Sequence, residues 1–252
     1  NGPVGAAIGV TGDYLDRASA LVFDGASILC VDVAHGHHIL VKEALTELRK
    51  LFGDRIHIMA GNVATLEGFN DLADWGADSI RCNIGGGSIC TTRIQTGHGI
   101  PGLQTIMDCA KSDRDALIIA DGGLKTSGDI TKAIAAGADL VMLGSLLSGT
   151  DESPGEVISS VDNPSIKYKR YRGMASKAAQ EDWKGTFSSL EGVSSTVPYK
   201  GAVVNVLDDL LRGLRSGLSY SGCRSISEFH SKARFVRQTA AGQVESSAHI
   251  NR

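Results

Sequence analysis

The chain has no long hydrophobic run. Its longest apolar stretches fall well short of the roughly 18 residues a bilayer-spanning helix needs, so no membrane partner is expected. The opening NGPVGAAIGV has no basic segment ahead of an apolar one and does not read as a secretory signal. Neither sign of charge is in excess. The 25 Lys and Arg against 28 Asp and Glu leave a formal charge of -3, which indicates neither a nucleic-acid partner nor an acidic tail. The five cysteines (Cys30, Cys82, Cys90, Cys109, Cys223) form no CxxC pair, and an odd number cannot all be disulfide-bonded. Repeats and low-complexity tracts are also missing. These absences lead to the expectation of a cytoplasmic protein with reduced thiols.

What is present is ordinary for a globular protein, with 42% hydrophobic and 21% charged residues. The 252 residues suit one large domain, and an α/β barrel uses such a length as a single unit. The 31 glycines cluster just after short apolar runs, where a chain leaves a strand and turns. Those runs are VGAAIG (4–9), ILCVDV (28–33), IHIMAG (56–61), SIRCNIG (79–85), LIIADG (117–122) and LVMLG (140–144). Each reads as a parallel strand buried on both faces. Between them lie segments of helical period, among them HHILVKEALTELRKLFG and TSGDITKAIAAGA.

Alternating strands and helices give either a (β/α)8 barrel or a doubly wound sheet. ADGG (120–123) and LGS (143–145) end consecutive strands, and barrels often bind phosphate with the loops after strands 7 and 8. If those are strands 7 and 8, residues 4–9 form strand 3. Strands 1 and 2 are then missing from this chain, and the expected fold is a partial TIM barrel over residues 1–252. An open six-stranded sheet is the alternative. After residue 149 the rhythm stops. Residues 150–202 lack clear periodicity, as flaps and binding loops do, and 202–222 and 225–238 read as two closing helices.

A thiol follows the fourth run directly through a pliable loop, IGGGSICTTR (84–93). Glycines let backbone approach a ligand closely, and N–H groups there favour thiolate over thiol. Cys90 is therefore a candidate nucleophile; a small buried residue in a glycine loop is the alternative. Cys30, Cys82 and Cys109 lie inside apolar patterns and read as core. His35, His37 and His38 have no Cys or carboxylate beside them at ligand spacing and read as hydrogen-bonding loop residues rather than a metal site. KYKRYRG (167–173) reads as a solvated basic run in preference to a phosphate-holding one.

GGGSICTTR, with DVAHGH upstream, AGNVAT between, and ADGGLKTSGDITKAIAAGADLVMLGSLLSGTDESPGE, YRGMAS and VPYKG downstream, resembles the IMP dehydrogenase/GMP reductase family, in order over nearly the whole chain. The resemblance implies that Cys90 adds to C2 of a purine nucleoside monophosphate, giving a covalent thioimidate. It implies that Thr92 and Glu191 handle the protons of the leaving amine or water. Asp121 would hold the ribose hydroxyls. Ser88, Gly123, Gly144, Ser145 and Tyr171 would cradle the phosphate, and Gly173, backbone near Met174, and Glu191 would meet the purine edge. Asp32 would lie near the nicotinamide ribose of NADPH or NAD, with Asn62 and Arg81 lining the site. The carbonyls of Gly85, Gly87 and Cys90 would offer a potassium site, completed by a tail like VESSAH (244–249) from a neighbouring subunit of a homotetramer.

The direction of the reaction is read from the flap. Family dehydrogenases activate water with an Arg-Tyr pair between the RGM and EG motifs; here that interval, ASKAAQEDWKGTFSSL (175–190), is short and has neither residue. Reductases need no water-activating base, because hydride attacks the thioimidate. GMP reductase (GMP and NADPH to IMP and ammonia) is therefore expected over IMP dehydrogenase (IMP, NAD and water to XMP). GAAIGV and VESSAH resemble dehydrogenase elements and favour the other branch. A noncatalytic nucleotide-binding fragment is the alternative of another class.

Overall fold

The structure, a computed structural model, describes residues 2–173, 176–185 and 191–248. Met174, residues 175 and 186–190 of the flap interval, and His249 of the tail lie outside the described residues.

Up to residue 142 the chain alternates as its glycines and apolar runs demand. The order is β1 (Gly5–Ile8), α1 (Tyr14–Phe23), β2 (Ile28–Asp32), α2 (Ile39–Phe52), β3 (His57–Val63), α3 (Leu66–Asp74), β4 (Ser79–Cys82), α4 (Thr92–Thr96), α5 (Gly102–Cys109), β5 (Leu117–Asp121), α6 (Ser127–Ala135) and β6 (Leu140–Met142). The six strands form one parallel sheet in chain order. Each of the six runs singled out in the sequence contributes one strand. β1 and β6 are the two edges of this sheet and are not paired with each other.

Two-residue alternation divides each strand's side chains between two faces. Leu29, Val31, Ile58, Ala60, Ile80, Cys82, Ile118 and Ala120 join the buried core with Val41, Leu45, Leu48, Phe69, Leu72, Ile106 and Ile130 from the helices. The intervening positions, Cys30, Asp32, Arg81 and Asp121, fall on the opposite face. Helix starts are fixed by side-chain caps: Thr65 accepts from the Gly68 amide and His38 from that of Leu40. At α6, Thr126 and Asp129 form a reciprocal capping box.

The described part of residues 150–202 holds more regular structure than its composition suggests. It contains β7 (Val157–Ser159), β8 (Lys167–Arg172), α7 (Lys177–Lys184) and β9 (Ser194–Pro198), and the strands make a second, antiparallel sheet in the order β7-β8-β9. Periodicity could not reveal it, because the strands are short, polar and largely exposed. The basic run is also not wholly solvated: Lys169, in the middle of β8, is 3% exposed.

Two helices close the chain, α8 (Val203–Tyr220) as expected and α9 (Ile226–Lys232), which stops short of the expected end at residue 238, and α10 (Ala240–Glu245) follows them. α8 lies against α6 so closely that a Cβ on Gly213 or Gly217 would meet Ser127 or Thr131 at 2.2 and 2.4 Å. Among the described residues, no helix is long and apolar enough to cross a membrane.

Candidate active site

The carboxyl ends of the parallel strands gather the chemistry. In the register Asp32 faces Gly61, Gly61 faces Arg81, and Arg81 faces Ile119, two residues before Asp121. Gly61 is what lets the row knit together. A Cβ there would lie 2.7 Å from the Arg81 Cβ and 2.8 Å from its carbonyl oxygen, too close for any other residue without a shift of the strands. Arg81 therefore spans the row, donating from Nη1 to Asp32 Oδ1 at 2.6 Å and from Nε and Nη2 to Asp121 Oδ2 at 3.0 and 2.9 Å. Asn62 Nδ2 donates to the same Asp121 oxygen at 2.8 Å and to the Asn83 carbonyl at 2.8 Å. These bonds to Asp121 all fall on Oδ2, so Oδ1 faces no donor among the described residues, an arrangement suited to accepting from a ligand's hydroxyls.

Burial works against the Arg81 charge, but Asp121 and Asp32 outweigh it and hold the guanidinium protonated more firmly than usual. The same cluster corrects one sequence expectation: Cys30 is not core. It is half-buried and accepts from Arg81 Nη1 at 3.4 Å, and burial pushes its thiol up despite the opposing pull of Arg81. Cys82 and Cys109 are buried as expected.

Cys90 lies between two backbone contacts that join its loop to the segment after the flap. The Thr91 amide donates to the Glu191 carbonyl at 2.9 Å and the Val193 amide to the Ile89 carbonyl at 3.1 Å. This ladder carries Glu191 across 99 residues of sequence to the start of α4. The result is a continuous chain of hydrogen bonds: the Cys90 thiol donates to Thr92 Oγ1 at 3.2 Å, and the Thr92 hydroxyl donates to Glu191 Oε2 at 2.6 Å. A thiol proton has a path through a hydroxyl to a carboxylate. Such a path is how a weak nucleophile is activated by a base that does not touch it.

The glycine loops come together beside the thiol. A Cβ on Gly122 would meet the Gly87 nitrogen at 3.1 Å, and one on Gly123 the Gly86 carbonyl at 3.3 Å. Gly173 packs on Ile89, and the Tyr171 hydroxyl lies 3.4 Å from a Cβ built on Gly144. Gly144 and Tyr171 line a cavity of about 470 Å³ with Ser148, Gly155, Arg170 and Arg172. The Ser145 carbonyl accepts from Ser148 Oγ and Lys200 Nζ. Ser88 is exposed on the cysteine loop.

Of the three histidines, His37 bonds Asp71 at 2.7 Å and His38 caps α2, the hydrogen-bonding roles expected of them. Sequence reasoning did not single out Asn83 and Arg93. Asn83 is a non-glycine residue at φ 134, buried, with Nδ2 on the Asp121 carbonyl at 2.9 Å and Oδ1 accepting from Arg93 at 3.1 Å. A polar residue ending an apolar strand run just before the glycines was the available signal.

The geometry has counterparts among known proteins. The profile of the IMP dehydrogenase / GMP reductase domain matches residues 2–249. An inosine-5'-monophosphate dehydrogenase of Nitrosopumilus maritimus is 46% identical over 260 residues, covering 98% of this chain and 54% of that protein. A GMP reductase of Leishmania major is 47% identical over 259 residues, covering 98% and 52%. The crystal structure of a GMP reductase C318A from Trypanosoma brucei in complex with guanosine 5'-monophosphate superposes with a TM-score of 0.92 at 46% identity, covering 98% of this chain and 52% of that one. The chain thus spans about half the length of the curated relatives it matches. With the family profile matched from residue 2 to residue 249 and these identities, the chain belongs to the IMP dehydrogenase/GMP reductase family.

Proposed function

We propose that this protein acts at C2 of a purine nucleoside monophosphate through Cys90, in the reductive direction: GMP and NADPH to IMP and ammonia. The observation that carries the C2 chemistry is the hydrogen-bonded chain from the Cys90 thiol through Thr92 to Glu191. The Cys90 thiolate, its proton passed along that chain, adds to the electrophilic carbon. Thr92 and Glu191 then return a proton to the departing amine, which leaves as ammonia. Asp121 holds the ribose hydroxyls through Oδ1, while Arg81 and Asn62 fix its other oxygen. Gly123, Gly144, Ser145, Ser88 and Tyr171 surround the phosphate, and Gly173 meets the purine.

A nicotinamide cofactor would supply the hydride. Asp32, with 45% of its side chain exposed and its Oδ1 held by Arg81, is a carboxylate on the open side of the row that suits a cofactor ribose. A monovalent cation fits the neutral backbone carbonyls of Gly85, Gly87 and Cys90; the Gly87 carbonyl already accepts from the Cys90 amide at 3.1 Å and keeps a second lone pair. In a homotetramer the tail VESSAH (244–249) would complete that site from a neighbour.

The direction rests on the flap interval 175–190, which has no arginine or tyrosine to activate water. General-base help is typically worth about 10²–10⁴-fold, enough to decide which reaction proceeds. The open edges at β1 and β6, with the half-length match to relatives, support reading the parallel sheet as six strands of an eight-stranded barrel, and residues 150–202 are read as its flap. The dehydrogenase reading has its own support in the comparably identical dehydrogenase of Nitrosopumilus maritimus.

Absorbance at the nicotinamide band separates the two. GMP with NADPH should turn over with release of ammonia, and IMP with NAD should give at most a burst near one equivalent of NADH per site. Sustained NADH formation from IMP with no GMP-dependent oxidation of NADPH would reverse the direction and leave the thiol chemistry standing.

A further inference from the structure

Lys169 is a buried lysine with no carboxylate partner among the described residues. Its Nζ donates to the carbonyls of Thr150 at 2.9 Å, Asp151 at 3.4 Å and Ser153 at 2.5 Å, and the residue is 3% exposed. Three carbonyls satisfy its three N–H groups but carry no net charge to offset it. The two acids of the same turn are directed elsewhere, Asp151 to the Tyr199 hydroxyl at 2.6 Å and Glu152 to the Val203 amide at 2.8 Å. Removing an ammonium from water is costly unless something negative repays it.

What stands beside this charge is the turn from Gly144 to Ser153, wall of the cavity that Tyr171 lines. Lys169 and Tyr171 are two apart on β8 and so share a face. One end of that face holds the turn at Ser153, and the other brings the Tyr171 hydroxyl to Gly144. A second lysine grips the opposite side: Lys200 Nζ donates to the carbonyls of Ser145 at 3.0 Å and Leu146 at 2.9 Å. The backbone is sewn there as well, with the Lys200 amide on the Gly149 carbonyl and the Asp151 amide on that of Gly201, both at 2.9 Å. Arg170 and Arg172 rim the same cavity, and Asp182 is the acid paired with Arg172. The wall thus sets Lys169 and Lys200 behind the turn and Arg170 and Arg172 at the rim, four cations against the three carboxylates of Asp151, Glu152 and Asp182.

We propose that Lys169, assisted by Lys200, is a positioning residue that makes this site demand a phosphomonoester. It shapes the 144–153 turn and supplies a fixed positive potential behind it, so that nucleotide is selected over nucleoside. The inference rests on the reading that a purine nucleoside monophosphate is the substrate. A charge held in a poorly solvated wall acts over a longer range and is screened less by salt than a surface lysine.

The test is isothermal titration of GMP and of guanosine into wild-type protein and the variants Lys169→Met, Lys169→Arg and Lys200→Met. The ratio of the two affinities should fall by about tenfold or more in Lys169→Met, about 1.4 kcal/mol per factor of ten, with guanosine affinity moving less than about twofold. Lys169→Arg should keep most of the ratio, because the charge remains. A purely structural role would weaken both ligands in proportion, and an unchanged ratio in Lys169→Met overturns this inference alone. Should Lys169→Met not fold, Lys200→Met carries the same expected narrowing and the same refutation. A wild-type protein that binds neither GMP nor IMP would overturn the substrate reading and this inference with it.

Discussion

Replacing Arg81 with methionine is the sharpest perturbation of the strand-end network. The side chain is 13% exposed and lies between Asp121, 17% exposed, and Asp32, 45% exposed. Methionine fills similar space but removes the donors that join three strands, and it leaves Asp32 and Asp121 without the cation they share. Removing one partner of a buried ion pair costs about 3–5 kcal/mol. The half-exposed Asp32 can turn to water and soften the loss, so we expect the low end, about 3 kcal/mol. For a chain of this size each kcal/mol moves the midpoint by about 2–4 °C, so Tm should fall by about 6–12 °C. Arg81→Lys should lose roughly half as much, since one ammonium keeps the charge but cannot hold Asp32 and Asp121 together as a planar fork does. Cys30 should also become less reactive to alkylation, because the opposing pull of Arg81 on its thiol is gone and burial acts alone. Thermal unfolding followed by circular dichroism reads the first effect and thiol labelling the second. An Arg81→Met protein that melts within about a degree of wild type would refute the reasoning that this guanidinium holds the strand ends together.

Three further outcomes follow from particular contacts. Asp129 is partly buried, which raises its pKa, but the Lys125 amide, Lys132 and Thr126 more than offset this and hold it below the ordinary range. Its contribution is therefore present above the unfolded carboxylate value near 3.9 and fades as pH falls through the lower folded one. Asp129→Ala should cost about 1 kcal/mol at neutral pH and progressively less below about pH 4, as seen in urea titrations across pH. Gly61→Ala places a Cβ 2.7 Å from that of Arg81 and should destabilise by about 1–3 kcal/mol, checked by the same titrations; a neutral result would mean that the strands part freely there. Thr92→Ala and Glu191→Gln should each slow ammonia release from GMP by about 10²–10⁴-fold, measured in single turnovers, while GMP binding persists; unimpaired release would remove the proton path from the account.

How much of this could be read in the sequence depended on burial. β2 to β5 bury one face fully and the other only in part, less than the burial on both faces that the sequence suggested, yet ILCVD, HIMAGNV, SIRC and LIIAD still announce themselves as apolar runs broken by one or two polar residues. β8 had no such signal, because its one buried position is a lysine satisfied by carbonyls rather than by apolar packing. The resemblance pointed to Cys90, Thr92, Glu191 and Asp121 as neighbours of the nucleotide and to Asp32 and Arg81 as neighbours of the cofactor. It did not show that Arg81 joins the two aspartates, which follows from the parallel register and from Gly61 leaving room. Nor could spacing reveal Asn83 or Lys169, since each acts through backbone carbonyls that no pattern of residue types encodes.

The central claim is that Cys90 is the nucleophile, activated through Thr92 and Glu191 and facing the purine. Its most direct measurement is peptide mapping after brief exposure to a small alkylating reagent, with and without GMP or IMP. Cys90 should be labelled ahead of Cys30, whose thiol burial pushes up, and ahead of the buried Cys82, Cys109 and Cys223, and either nucleotide should slow its modification. Equal labelling of the five thiols, indifferent to nucleotide, would contradict it.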